Sequence, residues 1–346
     1  MAFEIIHTIK FHKANYYFFY EVVMFTRFKE KVTRVYFASD IHGSQKCFNK
    51  FINAGKFYEA DAIILGGDIT GKSILHIEKQ DNGSYHSNFM GIENIFYSTE
   101  EAENFAKAVK TSGFYPFVSK IDEWIAYKND PSAMDSLFYR LMKKSLEEWM
   151  EFAELKLKNS GIKCFIMPGN DDPFSINDIL KQSDYVINPD GCVVQIDDIL
   201  TMVGIGYSNP TPWDSPRECS ETELEAKINL VMKDVPDSES CIFCAHVPPY
   251  NTTLDDAPKL SATLQVQSSG GQVEVAPVGS TAVLDAIHKY GFVLSLHGHI
   301  HEVHAIKNIG KTLSINPGSA YGDGILHGAL VNISKNKVKS YQLVAG

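Results

Sequence analysis

Over residues 34–67, short apolar runs alternate with a segment whose apolar residues have helical spacing. Residues 34–39 (RVYFAS) and 61–67 (DAIILGG) are apolar runs bounded by turn signals, which is typical of buried strands. Residues 44–60, which lie between them, place apolar side chains at helical intervals. A strand, a helix and a strand in that order predict a βαβ unit with two parallel strands.

The same rhythm returns in the second half of the chain. The apolar runs there are residues 163–167 (KCFIM), 201–206 (TMVGIG), 241–245 (CIFCA), 292–296 (FVLSL) and 312–316 (TLSIN), followed by a predicted hairpin over residues 329–344. Strands that alternate with helical segments predict the α/β fold class.

Residues 72–161 follow a different pattern between these two parts. Asn82–Gly83 is a hairpin turn signal with β-like flanks. Residues 98–113 predict a helix, and residues 131–161 predict a long amphipathic helix that stops at Gly161. We therefore predict an insertion or cap at about residues 72–161, made of one hairpin and several helices.

Composition narrows the class of protein. The chain has 346 residues, of which 44% are hydrophobic and 21% charged, as in soluble globular proteins. Its net charge is -10 and it has no basic stripe, so we expect no nucleic-acid partner. Cys241 and Cys244 are separated by two residues in an apolar run, which favours a place in the core over a redox or zinc site. We expect a reducing, cytoplasmic location.

The first residues are apolar and aromatic but carry scattered charges such as Glu4 and Lys10. They lack the features of a signal peptide, and the charges interrupt any membrane span, so we expect no membrane association. We divide the chain into an N-terminal extension over residues 1–33 and one domain over residues 34–346.

Polar residues with metal-binding or acid–base chemistry follow five of the apolar runs. In an open α/β sheet, sites assemble beyond the carboxyl ends of the strands, so these loops are expected to meet. The residues are Asp40, His42, Asp68, Asn170, Asp171, His246, His297, His299 and His301.

The stretch LGGDITGKS, residues 65–73, fits two motifs. Gly66, Gly71, Lys72 and Ser73 have the spacing of a phosphate-binding P-loop. That motif needs a helix directly after it, whereas a hairpin pattern follows here, and Asp68 would place a carboxylate inside the phosphate cradle. We therefore favour Asp68 as a metal ligand at a strand end. Lys72 is close enough in sequence to contact a substrate phosphate.

Imidazole and carboxylate side chains are typical ligands of zinc, iron, manganese and nickel. We assign Asp68 as a bridge between two divalent ions. The ligands of one ion are Asp40, His42, Asp68 and His301, and those of the other are Asp68, Asn170, His246 and His299. Such ions lower the pKa of bound water to roughly 7 and can clamp a phosphoryl group. His297 is expected to pack or to support a ligand.

In this order the motifs resemble those of the calcineurin-like metallophosphoesterase superfamily. The matching segments are Asp40-Ile41-His42, Gly67-Asp68, Gly169-Asn170-Asp171-Asp172, His246 and Gly298-His299-Ile300-His301. The resemblance covers about residues 34–334. It implies a four-layer α/β/β/α sandwich, a dinuclear metal centre, and phosphate-ester hydrolysis in which Asn170, Asp171 and His246 take part.

The third motif departs from the family. Asp171 stands where the family has a His that is assigned to the leaving group or the transition state, and the two Arg residues of the phosphoprotein branch are absent. Branches with GNxD, often with NPGS as at residues 316–319, tend to be phosphodiesterases. Asp171 is then either a general acid or a carboxylate that orients a ligand.

Three functions are therefore compared. We expect a phosphodiesterase whose partner is a small or nucleotide-like phosphate ester. The alternatives are a phosphomonoesterase acting on a small metabolite or a phosphoprotein, and a non-catalytic metal-binding scaffold. The sequence leaves open a homo-oligomer, the identity of the metal and the physiological substrate.

Overall fold

The computed structural model of the protein describes residues 31–261 and 263–346, and residues Val32–Gly346 form one compact unit. The predicted N-terminal extension lies almost entirely outside these residues. Within the described ranges, no helix is both long and apolar enough to cross a membrane.

The described residues form twenty strands. In chain order they are β1 Thr33–Ala38, β2 Ala62–Gly66, β3 Ser73–Lys79, β4 Tyr85–Phe89, β5 Ile92–Phe96, β6 Phe114–Ser119, β7 Lys163–Met167, β8 Val186–Ile187, β9 Val193–Gln195, β10 Thr201–Ile205, β11 Cys241–Ala245, β12 Asp256–Pro258, β13 Ser268–Ser269, β14 Gln272–Val273, β15 Val275–Pro277, β16 Leu294–Leu296, β17 Ala305–Ile309, β18 Thr312–Asn316, β19 His327–Ser334 and β20 Lys337–Ala345.

Seven α-helices connect the strands of this part of the chain. They are α1 Gln45–Phe57, α2 Thr99–Lys110, α3 Ile121–Asn129, α4 Pro131–Leu157, α5 Ile176–Leu180, α6 Glu221–Val231 and α7 Thr281–Tyr290. Short 3-10 turns occupy Met232–Asp234, Ser238–Ser240 and Tyr321–Asp323.

Two six-stranded sheets form the framework. The first has the order β20-β19-β1-β2-β7-β8, and the second has the order β17-β18-β16-β11-β10-β9. Their central strands are parallel, and antiparallel strands lie toward the edges. Strands β2 and β11 are buried at every residue, as expected of parallel strands that are covered on both faces. The predicted βαβ unit β1-α1-β2 and the α/β class are confirmed.

Hydrophobic packing follows from the periodicity of these elements. One cluster joins side chains of both large sheets, including Phe37 and Met202. A second packs α1 and α4 on the first sheet, where Phe48 and Trp149 stack with ring centroids 4.2 Å apart. A third packs α6 and α7 on the second sheet around Phe243. Burying this apolar surface provides the main stabilisation of the fold.

Residues 72–161 contain a separate four-stranded sheet with the order β5-β4-β3-β6. Strands β3 and β4 pair antiparallel across the Asn82–Gly83 turn, as predicted. The P-loop interpretation is wrong, because strand β3 begins at Ser73 where a P-loop would begin a helix.

The base of this four-stranded sheet contacts the loops that follow β1 and β2. The Tyr115 hydroxyl accepts a hydrogen bond from the Gly71 N–H at 2.8 Å. A Cβ on Gly113 would lie 2.1 Å from the carbonyl oxygen of His42. Contacts this close require glycine, and they hold the four-stranded sheet beside the predicted site.

Candidate metal centre

The five predicted loops converge at the carboxyl ends of parallel strands. Asp40 and His42 follow β1, Asp68 follows β2, and the loop with Asn170 follows β7 in the first sheet. In the second sheet, His246 follows β11, and the loop with His299 and His301 follows β16. Both sheets therefore contribute side chains to one cluster, as the position of sites in open α/β sheets predicts.

One half of the cluster is formed by Asp40, His42, Asp68 and His301. The Nε2 atoms of His42 and His301 are 3.0 Å apart. His42 Nε2 lies 3.6 Å from Asp68 Oδ2, and His301 Nε2 lies 3.5 Å from Asp40 Oδ1. The side chains of Asp40 and His42 are fully enclosed, whereas that of His301 is 29% exposed.

The other half is formed by Asp68, Asn170, His246 and His299. The amide oxygen of Asn170 lies 3.0 Å from His246 Nε2 and 2.8 Å from His299 Nδ1. His246 Nε2 is also 3.4 Å from Asp68 Oδ1. Asp68 thus has one oxygen near each half of the cluster.

Several of these residues have a left-handed backbone. The φ angles are 56° at Asp40, 37° at His42, 50° at Asp68 and 69° at His299. A non-glycine residue in this region costs on the order of 1–3 kcal/mol, and such strain concentrates at functional sites. Contacts from the surrounding loops must therefore stabilise these unfavourable backbone conformations.

Two motif glycines are required by close approach to the carboxylates. A Cβ on Gly169 would lie 2.2 Å from Asp68 Oδ1. A Cβ on Gly298 would lie 2.2 Å from Asp40 Oδ2. Both loops can therefore reach the cluster only where the side chain is absent.

The electrostatics favour the metal-binding forms of the two carboxylates, His42 and His299, and the protonated form of His246. Burial lowers the pKa of His42 and of His299 to about 4, so both imidazoles are neutral at pH 7. Burial opposes ionisation of Asp40 and Asp68, but the neighbouring histidines outweigh it and hold both pKa values below the ordinary range. Burial also opposes protonation of His246, yet the carboxylates raise its pKa to about 10.

The donor set fits metal ions. Three groups bring ligand atoms within 4.8 Å of one another: Asp40, His42 and His301; Asp40, Asp68 and His246; and His42, Asp68 and Asp171. Within residues 31–261 and 263–346, the ion pairs of Asp40 and Asp68 are all with histidines. Buried charges need compensation, and a cation among these oxygen and nitrogen atoms would supply it.

Asp172 ties two of the loops together, a role that the sequence did not reveal. Its Oδ1 accepts hydrogen bonds from the N–H and hydroxyl of Thr70 at 2.9 and 2.7 Å. Its Oδ2 accepts from the N–H groups of Ile69 and Gly169 at 3.0 and 2.8 Å. The carboxyl group therefore faces Ile69, Thr70 and Gly169 rather than Asp171.

Arg217 is a second residue that sequence reasoning missed. It is 1% exposed, and its guanidinium donates to the carbonyl oxygen of Asp172 at 2.9 Å, to Asn177 and to Asp190. The ring of Phe174 lies 4.5 Å away. In the sequence, Arg217 is marked only by its position in the Pro-rich segment of residues 207–219.

Asp171 lies at the edge of the cluster. Its Oδ1 accepts hydrogen bonds from the Ser215 hydroxyl at 2.7 Å and from the Asn170 amide at 3.1 Å. Its Oδ2 is 2.6 Å from the ammonium of Lys72. Asp171 thus contacts the side chain of a predicted ligand amide rather than a ligand histidine.

The NPGS segment supports the histidine loop. The Asn316 amide donates to the carbonyl oxygens of Gly298 and Ile300, and the Ser319 hydroxyl donates to that of Asp40. His297 is buried against Ser295 and the carbonyl of residue 245, outside the cluster. Of the two expectations for His297, packing is the one that these contacts match.

This fold and this site define a mixed α/β protein with a buried Asp–His cluster that could hold metal ions. No family model matches the chain. The chain is 31% identical over 176 residues to the uncharacterized protein MJ1162 of Methanocaldococcus jannaschii, across 50% of this chain and 71% of that protein. The chain belongs to the family of that protein.

Solved structures resemble the chain at low identity. One of them, 11% identical, aligns with 91% of this chain and 99% of its own, with a TM-score of 0.51, which concerns the fold alone. A novel archaeal phosphodiesterase, 12% identical, aligns with 91% of this chain and 100% of its own, with a TM-score of 0.34. That score is too low to support an argument about this chain.

Proposed function

We propose that the protein is a dinuclear metal-dependent phosphoesterase of the calcineurin-like metallophosphoesterase superfamily. The observation that carries this proposal is the convergence of two buried carboxylates, four histidines and one amide oxygen from five strand-end loops. Histidine and carboxylate ligands suit manganese, iron, zinc or nickel. The proposed ligands are those assigned from the sequence: Asp40, His42, Asp68, Asn170, His246, His299 and His301.

The packing supports the corresponding architecture. We propose a four-layer α/β/β/α sandwich, because one hydrophobic cluster joins the two large sheets and two others place helices on them. We also propose that residues 72–161 act as a cap. Their four-stranded sheet is anchored at Gly71 and Gly113, beside the loops with Asp68 and His42.

When bound, the metal ions would activate water near neutral pH and polarise the phosphoryl group. The residues of the chain would orient these ions. The carbonyl oxygen of Gly66 lies 2.9 Å from His246 Nδ1 and so directs Nε2 into the cluster. The amide oxygen of Asn170 sits between the two histidines of its half, and the Asp171 side chain holds the amide nitrogen. Partly exposed His301 and Asp171 mark the side open to substrate.

A phosphodiesterase acting on small or nucleotide-like esters is the specific activity that we propose. Its support is Asp171 in the place of the motif histidine, together with the NPGS segment at the cluster. Phosphomonoester hydrolysis and a non-catalytic metal-binding scaffold are the competing outcomes of the test.

The test is hydrolysis of bis-p-nitrophenyl phosphate and p-nitrophenyl phosphate by purified protein loaded separately with manganese, iron, zinc and nickel. We expect faster cleavage of the diester, loss of activity with a chelator, and losses of at least about 100-fold for His246→Ala and Asn170→Ala, since each removes a ligand that other residues position. His288→Ala, at an exposed histidine on α7, is the matched control and should not change the rate.

Faster cleavage of the monoester would favour a phosphomonoesterase. A protein that binds metal but cleaves neither ester, with any of the four metals, would favour the scaffold. Full activity of His246→Ala would show that the cluster is not the active site.

A further inference from the structure

We propose that Lys72 binds a non-bridging oxygen of the substrate phosphoryl group and that Asp171 is its positioning residue. The proposal rests on the proposed function, because it concerns the anion that would occupy the same site. The two residues come from different loops, and their charged atoms are 2.6 Å apart.

Lys72 is linked to the cluster through Asp171. The backbone N–H of Asp171 donates to Asp68 Oδ1 at 3.0 Å, and its side chain contacts Lys72. The ammonium is therefore separated from the proposed bridging carboxylate by a single residue. An anion held at the cluster would lie within reach of this cation.

Asp171 is itself fixed by neighbours. Ser215 and Asn170 both donate to its Oδ1, which leaves Oδ2 to Lys72. Since these donors come from two other positions on the site loops, the carboxylate has a defined orientation. A carboxylate held in this way can place the end of a long, flexible lysine side chain.

The backbone on both sides of Lys72 is also held. The N–H of Gly71 donates to the Tyr115 hydroxyl, and Ser73 begins β3, where it pairs with Phe114 of β6. The lysine therefore projects from an anchored segment rather than a free loop. Less side-chain and backbone freedom is lost when such a residue binds an anion.

Lys72 differs in exposure from Arg217, a nearby cation in the segment of residues 207–219. Arg217 is buried and donates to the carbonyl of Asp172, to Asn177 and to Asp190, so its donors are committed to the protein. The side chain of Lys72 is 51% exposed. An ammonium has three N–H donors, and a single carboxylate oxygen leaves donors available for a phosphate oxygen.

The charge of the chain makes this cation significant. The net charge is -10, and phosphate esters are anions. Lys72 stands on the partly exposed side of the cluster, together with Asp171 at 24% and His301 at 29% side-chain exposure. The N–H donors of the ammonium that Asp171 leaves available can contact a substrate oxygen directly on that side.

The test measures binding of inorganic phosphate to the full-length, manganese-loaded protein by isothermal titration calorimetry. A hydrogen bond to a charged group contributes about 1.5–3 kcal/mol, so Lys72→Ala should weaken phosphate binding by about 10- to 100-fold. Lys72→Met keeps the aliphatic stem and should weaken it equally. Metal content, measured by mass spectrometry, should stay at the wild-type level.

Lys120→Ala is the matched control. Lys120 pairs with Asp81 at 2.8 Å on the same four-stranded sheet segment, and its removal should leave phosphate binding unchanged. Asp171→Asn should weaken binding less than Lys72→Ala. The double variant Lys72→Ala/Asp171→Asn should bind like Lys72→Ala alone, because a positioning residue has no effect once the residue that it positions is gone.

Phosphate binding within twofold of wild type by Lys72→Met, at normal metal content, would overturn the proposal. Additive losses in the double variant would overturn the role of Asp171. If the wild-type protein cleaves the diester while Lys72→Met binds phosphate normally, the proposed function stands and this inference fails. If the wild-type protein cleaves no ester but binds phosphate, and Lys72→Met binds it more weakly, the inference stands and the proposed activity fails.

Discussion

Asp172→Asn tests whether one buried carboxylate joins the loops beneath the candidate metal centre. Each carboxylate oxygen accepts two hydrogen bonds, from the N–H and hydroxyl of Thr70 on one side and from the N–H groups of Ile69 and Gly169 on the other. Asparagine has only one acceptor oxygen. If its NH₂ group faces the N–H groups of Ile69 and Gly169, two hydrogen bonds are lost. If it faces Thr70, the hydroxyl can turn to accept, and one is lost.

The size of the effect follows from these contacts. A hydrogen bond to a charged group contributes about 1.5–3 kcal/mol, so the loss of one or two of them amounts to about 1.5–6 kcal/mol. Burial, and then the charge of Asp68, raise the pKa of Asp172 to about 6, so removing the charge relieves part of an unfavourable environment. We therefore expect a loss near the lower end of this range, about 2 kcal/mol in the free energy of unfolding.

Urea unfolding of the metal-free protein measures this loss directly. Asp178→Asn is the control, because the side chain of Asp178 is 87% exposed and its replacement should change the free energy by less than about 0.5 kcal/mol. Metal affinity should fall in Asp172→Asn as well, since the two loops carry Asp68 and Asn170. A loss smaller than about 1 kcal/mol would refute the view that Asp172 holds the loops together.

Three further predictions concern the same region. Gly169→Ala would place a Cβ 2.2 Å from Asp68 Oδ1 and should abolish metal binding in a titration. The control Gly322→Ala, whose Cβ meets nothing within 4 Å, should bind metal normally. Equal binding by both variants would contradict the steric argument. Arg217→Ala leaves Asp190, whose side chain is only 12% exposed, without its ion pair and should lower the free energy of unfolding by about 3–5 kcal/mol. Arg217→Lys should not restore it, because an ammonium lacks the planar fork that reaches several acceptors. Metal at about 100 times its dissociation constant should stabilise the protein by about 2.7 kcal/mol in thermal melts, and a melting temperature that a chelator does not change would argue against a metal centre.

The sequence by itself predicted the strands and the loops that carry the cluster. Parallel strands buried on both faces, such as β2 and β11, are short continuous apolar runs, so they can be recognised without a structure. Sites assemble beyond the carboxyl ends of such strands, which is why Asp68 and His246 could be assigned to one site although β2 and β11 belong to different sheets. The turn at Asn82–Gly83 could also be predicted from the sequence, because Asn and Gly readily adopt the positive φ angles that a hairpin turn needs.

Only the tertiary structure decided how the loops are held together. The hydrogen bonds of Asp172 to Thr70, the buried guanidinium of Arg217, and the pairing of Lys72 with Asp171 join residues far apart in the chain. Such contacts depend on the direction of individual side chains after the sheets have packed. They leave no periodicity or turn signal in the sequence. A charged residue in a loop has the same sequence context whether its side chain faces solvent or a buried partner.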